Sequence, residues 1–452
     1  MVPLADVVGG VVWAWEFFLF ILRGTLIALA DQYIMYIRVG RVWLAKRNQA
    51  PSLVRGDLVL QLAATSPHHS RVDEKTVFLQ LNHDFIDRRL WAGLNEIGVG
   101  PSAIVTGISY GGIGFYTALG LLLGGVNVHG VARTSRQAER ARYLLMSAVD
   151  RQLMLHKEWS GRVGRVLVHT CDLSDTAAVC NFGNAVAADA ALRIIVCNAG
   201  PMCTPPRLSH QRLEEQFATH HVGHSLLLLR LLQGRLQSLR LHSIAVARPP
   251  PWRIVVLASA AAATASPSAA STFREWGSQA ELERHFSRFA GYGNAKMSEL
   301  LFTLALARFV ERHSLLASTC TVNVLHPGPI RSRVIPNSQL PLQWLLDGEA
   351  AALLRMTPVV AALYVTDVAL SRRYTHTNGH FLRMGDDQTL RYGAQLSNAA
   401  LRTGFFTNSS LFPGIPGPAV SLSRGKQQWM WESTRQYLSA KGLIDYDTFA
   451  LP

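Results

Sequence analysis

The sequence predicts an α/β protein built on a doubly wound parallel sheet. Three observations lead to this fold class: short apolar runs, apolar helical segments that alternate with them, and a glycine-rich turn where the first run ends. Buried parallel strands form near-continuous apolar runs because helices cover both faces of the sheet. Six strands are predicted, at residues 102–105, 126–132, 165–169, 193–196, 253–258 and 321–325.

Composition divides the chain into four parts. These are an apolar segment at 1–37, a basic connecting region at 38–100, the predicted α/β domain at 101–390 and a C-terminal extension at 391–452. Residues 234–251 and 260–271 are predicted to be loop insertions, since Pro, Ala and Ser are frequent in parts of them. Within the extension, residues 429–438 are predicted to form a helix.

The overall composition is 49% hydrophobic and 16% charged, with a formal net charge of +14. A basic balance is typical of proteins that bind nucleic acid or an anionic membrane surface, although an ordinary solvated basic surface gives the same total. The sequence has no Cys/His spacing typical of zinc and no aromatic RNA-binding signature, so we expect neither a metal nor nucleic acid. Five cysteines in predicted strands and adjoining loops favour a reducing compartment over a disulfide framework.

The first 37 residues are strongly apolar, but Glu16, Arg23 and Asp31 interrupt them. The longest uncharged stretch is well below the roughly 18 residues that mark a spanning helix. This pattern favours a monotopic or re-entrant membrane anchor, or a tilted span whose charges face protein. The alternative is a helix that packs on the protein's own domain or on a second subunit, and a homo-oligomer therefore stays open.

Four basic residues follow the apolar segment: Arg38, Arg41, Lys46 and Arg47. Basic residues beside an apolar segment tend to stay cytoplasmic and are attracted to anionic lipid head groups. We therefore expect the protein to associate with the endoplasmic reticulum or another intracellular membrane, with its α/β domain in the cytosol.

The glycine-rich turn at residues 106–114 lies where the first predicted strand turns into a helix. Glycines there let the backbone approach a pyrophosphate, whose charge the helix N-terminus stabilises. The turn resembles the Thr-Gly-x-x-x-Gly-x-Gly fingerprint of the short-chain dehydrogenase/reductase family, with one extra residue. This resemblance implies that a nicotinamide cofactor binds at Thr106, Gly107, Gly112, Ile113 and Gly114, and leaves open which glycine lies nearest the phosphates.

Arg133 directly follows the second predicted strand. An acidic residue at this position would bind the ribose 2′-hydroxyl of NAD, whereas an arginine can pair with the 2′-phosphate of NADP. Arg133 therefore favours NADP(H) over NAD(H), although it could also be a solvated arginine at a helix start. The resemblance assigns further cofactor contacts to Asp172, Asn198, Ala199, Gly200, Tyr292, Lys296, Pro327, Gly328 and Ser332.

Tyr292 and Lys296 lie one helical turn apart on the same face of a predicted helix. A tyrosine hydroxyl is a poor acid–base group at neutral pH, and a nearby ammonium lowers its pKa by stabilising the phenolate. Together with Ser259, which follows a predicted central strand, the pair resembles the family's Ser–Tyr–Lys triad. The resemblance implies that Ser259 binds the substrate oxygen, that Tyr292 exchanges the proton, and that Lys296 tunes Tyr292 and holds the nicotinamide ribose.

Residues 214–224 resemble the family's helix that carries a fourth catalytic residue, an asparagine that holds a water in the proton relay. His220 occupies that position. A histidine can donate and accept a hydrogen bond and so serve the relay, whereas its larger ring could also block the water.

The resemblance implies a Rossmann-type fold and an NADP(H)-dependent oxidoreductase that interconverts a carbonyl and an alcohol. Within the family, the chain is most similar to the membrane-associated retinol dehydrogenase-like subgroup. Apolar residues at 336–356 suit a lipophilic substrate such as a sterol, retinoid, polyprenol or long-chain aldehyde, although a buried helix needs the same residues. Two alternatives remain: a non-catalytic nucleotide-binding scaffold, favoured by His220 and the altered turn, and a soluble enzyme for a polar substrate.

Overall fold

The computed structural model describes residues 100–155, 157–241, 251–259, 261–262, 265, 273–328, 330, 357–371, 374–383, 386–387 and 424–450. The predicted membrane segment at 1–37 lies outside this part, as do residues 38–99, residues 336–356 and Ser332. Among the residues described, no helix combines the length and apolar character needed to cross a membrane.

Eight described strands form one sheet in the order β3-β2-β1-β4-β5-β6-β7-β8. The strands are β1 (Ser102–Thr106), β2 (Asn127–Ala132), β3 (Val166–Thr170), β4 (Leu192–Cys197), β5 (Trp252–Leu257), β6 (Cys320–His326), β7 (Phe381–Arg383) and β8 (Asp386–Asp387). The first seven run parallel and β8 pairs antiparallel with β7. The strand order reverses between β1 and β4, and open α/β sheets bind ligands at the carboxyl ends of the strands at such a switch point.

Helices cover both faces of the sheet. They are α1 (Ile113–Leu123), α2 (Ser135–Leu155), α3 (Thr176–Ala187), α4, α5 (Gln279–His285), α6 (Arg288–Arg312), α7 (Pro358–Leu370) and α8 (Arg424–Ala440). The helix α4 has three consecutive parts: an α-helical turn Glu215–Phe217, a π-helix Ala218–Gly223 and an α-helix His224–Leu241.

Two apolar cores form, one on each face of the sheet. The first joins the strands to α1, α2 and α7 through residues such as Phe115, Leu145 and Val365. The second joins them to α3, α4, α6 and α8 through residues such as Leu227 and Phe309. Full burial of one such side chain stabilises the fold by about 1.5–3 kcal/mol, which explains why the central strands need apolar residues on both faces.

The fold class predicted from the sequence is confirmed, and the six predicted strands match β1 to β6 to within two residues at each end. The predicted loop at 234–251 is wrong for its first part, because α4 continues to Leu241. Leu236 and Leu239 are buried at helical spacing and hold this turn against the core. Gly234 weakens a helix only modestly, and a Cβ at this position would meet Ala187 at an ordinary 3.6 Å.

The predicted helix in the C-terminal extension is present within α8. Trp431 is fully buried, and its ring stacks on Phe302 and Phe309 of α6 with centroid distances of 5.3 and 5.4 Å. His221 Nε2 of α4 lies 3.0 Å from Thr434 Oγ1 of α8. The helix α8 is therefore part of the core on this face.

Candidate functional site

The predicted cofactor and catalytic residues meet at the carboxyl ends of the central strands. Thr106 ends β1, Asn198 follows β4 and Ser259 lies just beyond β5. Tyr292 and Lys296 lie on α6, which packs against β6. Because parallel strands end at the same edge of the sheet, these residues, distant in sequence, surround one crevice at the switch point.

The glycine turn packs directly against the segment that follows β4. Gly107 has φ of +74°, and a Cβ at this residue would lie 2.7 Å from Ala199 Cα. A Cβ on Gly114 would lie 2.5 Å from both Asn198 Nδ2 and Gly107 O. Close approach of two backbones therefore requires Gly107 and Gly114. Gly111 has φ of +79° with nothing within 4 Å of its Cβ position, so this left-handed residue accommodates the longer turn on the open side.

Hydrogen bonds join the ends of β1 and β4. Thr106 Oγ1 accepts from the backbone N of Asn198 at 2.9 Å and of Ala199 at 3.0 Å. The Asn198 side-chain amide donates back to Thr106 O at 2.8 Å and to Gly107 O at 3.1 Å. The floor of the crevice is therefore set by contacts between the first and fourth strands.

The start of α1 suits the phosphates of a dinucleotide. Gly112 is the N-cap and makes no side-chain cap hydrogen bond, and the first turn, which begins with Ile113 and Gly114, contains no acidic residue. A helix N-terminus leaves backbone N–H groups without intrahelical partners and carries a partial positive charge. With glycines on its open side, this terminus fits a pyrophosphate.

At the other end of the crevice, Arg133 follows β2 and Asp172 follows β3. The Arg133 side chain is half exposed, and its Nη1 lies 3.0 Å from Glu215 Oε1 in the first turn of α4. Asp172 Oδ1 accepts hydrogen bonds from Ser174 N and Oγ at 2.9 and 2.8 Å. Arg133 therefore has a specific partner in the protein, which sequence reasoning did not anticipate.

The predicted catalytic pair Ser259 and Tyr292 is joined by a side-chain hydrogen bond. Tyr292 is buried. Burial raises the pKa of Tyr292 well above its ordinary value, the hydrogen bond with Ser259 acts in the opposite direction, and the negative charge of Glu299 raises the pKa further. The phenol is therefore the stable form of Tyr292 at neutral pH.

Lys296 is buried on the same helix but makes other contacts. Its Nζ donates to Leu257 O at 2.7 Å and to Glu299 Oε2 at 2.7 Å. The side chains of Lys296 and Glu299 are 5% and 3% exposed, so this is a buried ion pair. The ammonium that was predicted to act on Tyr292 is therefore paired with a carboxylate.

His220 lies in the π-helical part of α4 and faces Tyr292, with ring centroids 5.6 Å apart in an edge-on arrangement. Its Nε2 donates to Pro201 O at 2.7 Å. Burial is the largest cause that holds the pKa of His220 well below its ordinary value, so the ring is neutral and its buried Nδ1 is an acceptor with no partner among the described residues. A Cβ on Gly200 would lie 1.7 Å from this ring, so a histidine at this position requires glycine at 200.

Two functional candidates, His224 and Glu299, were missed by sequence reasoning. His224 Nδ1 lies 3.1 Å from Glu299 Oε1, and both side chains are almost completely buried. A signal was present: Glu299 is an acid one turn after Lys296 in an otherwise apolar stretch, and His224 lies one turn after His220.

The remaining predicted cofactor contacts are in the segment that follows β6. Pro327 and Gly328 follow β6 at the same edge of the sheet, and Gly328 has φ of +94°. Ser332 lies outside the described residues.

No family model matches the chain. An oxidoreductase of Schizosaccharomyces pombe is 29% identical over 288 residues, which cover 62% of this chain and 76% of that protein. Human retinol dehydrogenase 14 is 30% identical over 246 residues, which cover 54% of this chain and 66% of that protein. A chloroplastic short-chain dehydrogenase of Brassica napus, TIC 32 B, is 29% identical over 53% of this chain and 67% of its own length.

Among solved structures, L-sorbose reductase of Gluconobacter frateurii, complexed with NADPH and L-sorbose, is 19% identical with a TM-score of 0.43. That match covers 64% of this chain and 96% of the reductase. Mouse retinol dehydrogenase 12 is 32% identical, and that match covers 48% of the relative. The chain therefore spans between about half and three quarters of the length of the curated relatives it matches. The chain belongs to the short-chain dehydrogenase/reductase family of oxidoreductases.

Proposed function

We propose that this protein is an NADP(H)-dependent oxidoreductase that interconverts a lipophilic carbonyl compound and its alcohol. The observation that carries the proposal is the hydrogen-bonded pair of Ser259 and the buried Tyr292, where Ser259 lies just beyond β5 at the carboxyl edge of the sheet. A serine and a protonated tyrosine at this place can both donate to one substrate oxygen. That is the arrangement a carbonyl needs as negative charge develops on its oxygen.

Each residue of the chain then has a defined task. Ser259 orients the substrate oxygen, and Tyr292 donates its proton to that oxygen during reduction or accepts it during oxidation. A bound nicotinamide supplies or accepts the hydride. The His220 ring packs edge-on against Tyr292 and has an acceptor nitrogen, so it can take part in the proton path. His220 replaces the relay asparagine in this proposal.

The preference for NADP(H) over NAD(H) rests on Arg133. A guanidinium at the end of β2 can pair with a ribose 2′-phosphate, and Asp172 lies on the neighbouring strand end for the adenosine. Because Glu215 holds Arg133 from α4, a 2′-phosphate must share or replace that carboxylate. Glu215 therefore belongs to the cofactor-selecting residues of this proposal.

A lipophilic substrate and a membrane location complete the proposal. Relatives named retinol dehydrogenase support a long apolar alcohol or aldehyde. The apolar segment at 1–37 with the basic residues after it supports an intracellular membrane such as the endoplasmic reticulum, with the α/β domain in the cytosol. Both features would place the substrate and the enzyme at the same membrane.

The second candidate is a non-catalytic nucleotide-binding scaffold. It is favoured by the His220 ring at the relay position and by the pairing of Lys296 with Glu299. The test mixes full-length protein with NADPH and a panel of all-trans-retinal, decanal and a steroid ketone, and follows NADPH consumption. We expect oxidation with at least one compound, and a loss of about 10²-fold or more for Tyr292→Phe at unchanged NADPH binding. NADPH binding without consumption of any panel member would favour the scaffold.

A further inference from the structure

A buried chain of hydrogen bonds begins at the end of β1. Thr106 Oγ1 accepts from two backbone N–H groups, those of Asn198 and Ala199, which use both of its lone pairs. Its own proton is then directed to His224 Nε2 at 3.0 Å, which is closer than Val196 O at 3.4 Å. His224 must therefore carry its proton on Nδ1 when it is neutral.

The same geometry continues from His224 to Lys296. His224 Nδ1 lies 3.1 Å from Glu299 Oε1 and 3.2 Å from His220 O, and both atoms are acceptors, so the Nδ1 proton points at them. Glu299 Oε2 accepts from Lys296 Nζ at 2.7 Å. Glu299 is thus held on both oxygens, one by a histidine that the β1 strand end orients and the other by the ammonium.

The charges of Lys296 and Glu299 offset each other. Lys296 contributes one positive charge and Glu299 one negative charge, in a place where water does not screen them. Because the two charges lie side by side, their combined field falls off much faster than that of a free ammonium. Tyr292, one helical turn before Lys296, therefore lacks the field that would draw off its proton.

We propose, on the basis of the function proposed above, that Glu299 is a positioning residue that holds and neutralises the Lys296 ammonium, keeps Tyr292 a protonated phenol near neutral pH, and so moves the alkaline limb of alcohol oxidation to higher pH. A protonated tyrosine is the form that donates to a carbonyl oxygen, whereas oxidation needs the phenolate as a base.

The other groups around the pair leave Glu299 as the decisive charge. Groups that act on Tyr292 or Lys296 include Ser259, His220, Cys203, Cys197, His326 and Glu299, and His224 contacts Glu299. Burial lowers the pKa of His220 and of His326, the latter to about 4, and burial raises the pKa of Cys197, so these three are uncharged at neutral pH. Among the groups named here, Glu299 is the one carboxylate, so its negative charge is the one that the test removes.

Glu299→Gln tests the proposal, because it removes the charge at nearly constant volume. The readout is the phenolate absorbance of Tyr292, taken as the difference between ultraviolet pH titrations of each protein with and without Tyr292→Phe. We expect Tyr292 to ionise at a pH lower by at least about one unit in Glu299→Gln, since an opposite charge at this range shifts a pKa by roughly 1–3 units. The alkaline limb of alcohol oxidation, measured with decanol and NADP, should move by the same amount.

Glu311→Gln is the matched control, because Glu311 is an exposed acid on the same helix. It should leave both titrations unchanged. A second comparison uses Glu299→Asp and Glu299→Asn, which shorten the side chain equally and differ in charge. The asparagine variant should ionise Tyr292 at a lower pH, and the aspartate variant should not. A merely structural role would lower the melting temperature of both variants and leave the ionisation of Tyr292 the same in both.

An unchanged titration of Tyr292 in folded Glu299→Gln, or equal behaviour of the aspartate and asparagine variants, would overturn the proposal. The titration of Tyr292 requires no substrate. It therefore decides the role of Glu299 even if every panel compound fails, an outcome that would count against the proposed function instead.

Discussion

Arg133 Nη1 lies 3.0 Å from Glu215 Oε1, so the arginine at the end of β2 is ion-paired with the first turn of α4. The carboxylate is mostly buried and the guanidinium half exposed. An arginine that reaches across to α4 is already oriented, but it must exchange or share its carboxylate partner if it is to bind a phosphate.

Arg133→Asp should weaken NADPH binding by about 10- to 100-fold and improve NADH binding, since a hydrogen bond to a charged group contributes about 1.5–3 kcal/mol. Fluorescence titration with both cofactors measures this. Arg151→Asp, an exposed position near the other end of α2, is the control. An unchanged preference for NADPH over NADH would show that Arg133 does not select the cofactor.

Glu215→Gln should tighten NADPH binding because it frees Arg133. The gain should be no more than about fivefold, since an ion pair with an exposed partner contributes about 1 kcal/mol or less. The same titration measures it, with NADH as the internal reference. Weaker NADPH binding in a folded Glu215→Gln protein would mean that the carboxylate orients Arg133 rather than competes for it.

Gly114→Ala should destabilise the protein and weaken cofactor binding, because its Cβ would lie 2.5 Å from Gly107 O, a backbone atom that cannot move aside cheaply. Gly120→Ala is the matched control on α1, where the Cβ would lie 3.5 Å from Thr366 Cγ2. That change should stabilise the helix by about 0.5–1 kcal/mol. Melting temperatures measured with and without NADPH distinguish loss of stability from loss of cofactor binding. Equal melting temperatures for Gly114→Ala and Gly120→Ala would contradict this packing of the turn.

His220→Asn tests whether the histidine serves or impairs turnover. An asparagine is smaller and keeps a side-chain donor and acceptor, so activity should be retained or increased if His220 replaces the relay asparagine. Steady-state turnover with the panel compounds and NADPH measures this, with melting temperature as the control for folding. A wild-type protein that is inactive and gains hydride transfer on His220→Asn would indicate that the histidine disabled the site.

Acid should destabilise the fold through its buried histidines. Burial lowers the pKa of His221 to about 3, whereas an unfolded histidine has an ordinary value of 6.5. The unfolded state therefore binds the proton first, so full stability is present above pH 6.5 and is lost as pH falls towards 3, at about 1.4 kcal/mol per pH unit for this group. Urea unfolding at pH 7 and pH 5 should show a smaller loss for His221→Gln than for wild type, and an equal loss would count against a neutral buried His221.

Deletion of residues 1–37 should release the protein from membranes. The apolar segment and the basic residues after it supply the membrane affinity in this hypothesis. Fractionation of cells that express full-length or truncated protein measures the distribution, with a detergent wash as the control for aggregation. Equal solubility of the two forms without detergent would rule out this anchor.

The sequence by itself determined the strands β1 to β6, the glycine turn, and the positions of Ser259, Tyr292 and Lys296. These features are local: a strand covered on both faces needs a continuous apolar run, and a turn that approaches another backbone needs glycine. The short strands β7 and β8 could not be predicted, because with three and two residues they depend on pairing with β6 and with each other.

The tertiary structure decided which polar side chains meet. Spacing placed Lys296 beside Tyr292, but only the packing of α6 against α4 brings Glu299 to His224, and only the strand order β2-β1-β4 brings Arg133 to Glu215. The same holds for α8. Its Trp431 stacks on Phe302 and Phe309 of α6, although Trp431 is far from both in sequence. Local apolar patterns predict helices and strands because each apolar side chain gains free energy from its own burial. Buried charges instead need partners that are distant in sequence and become adjacent only after folding.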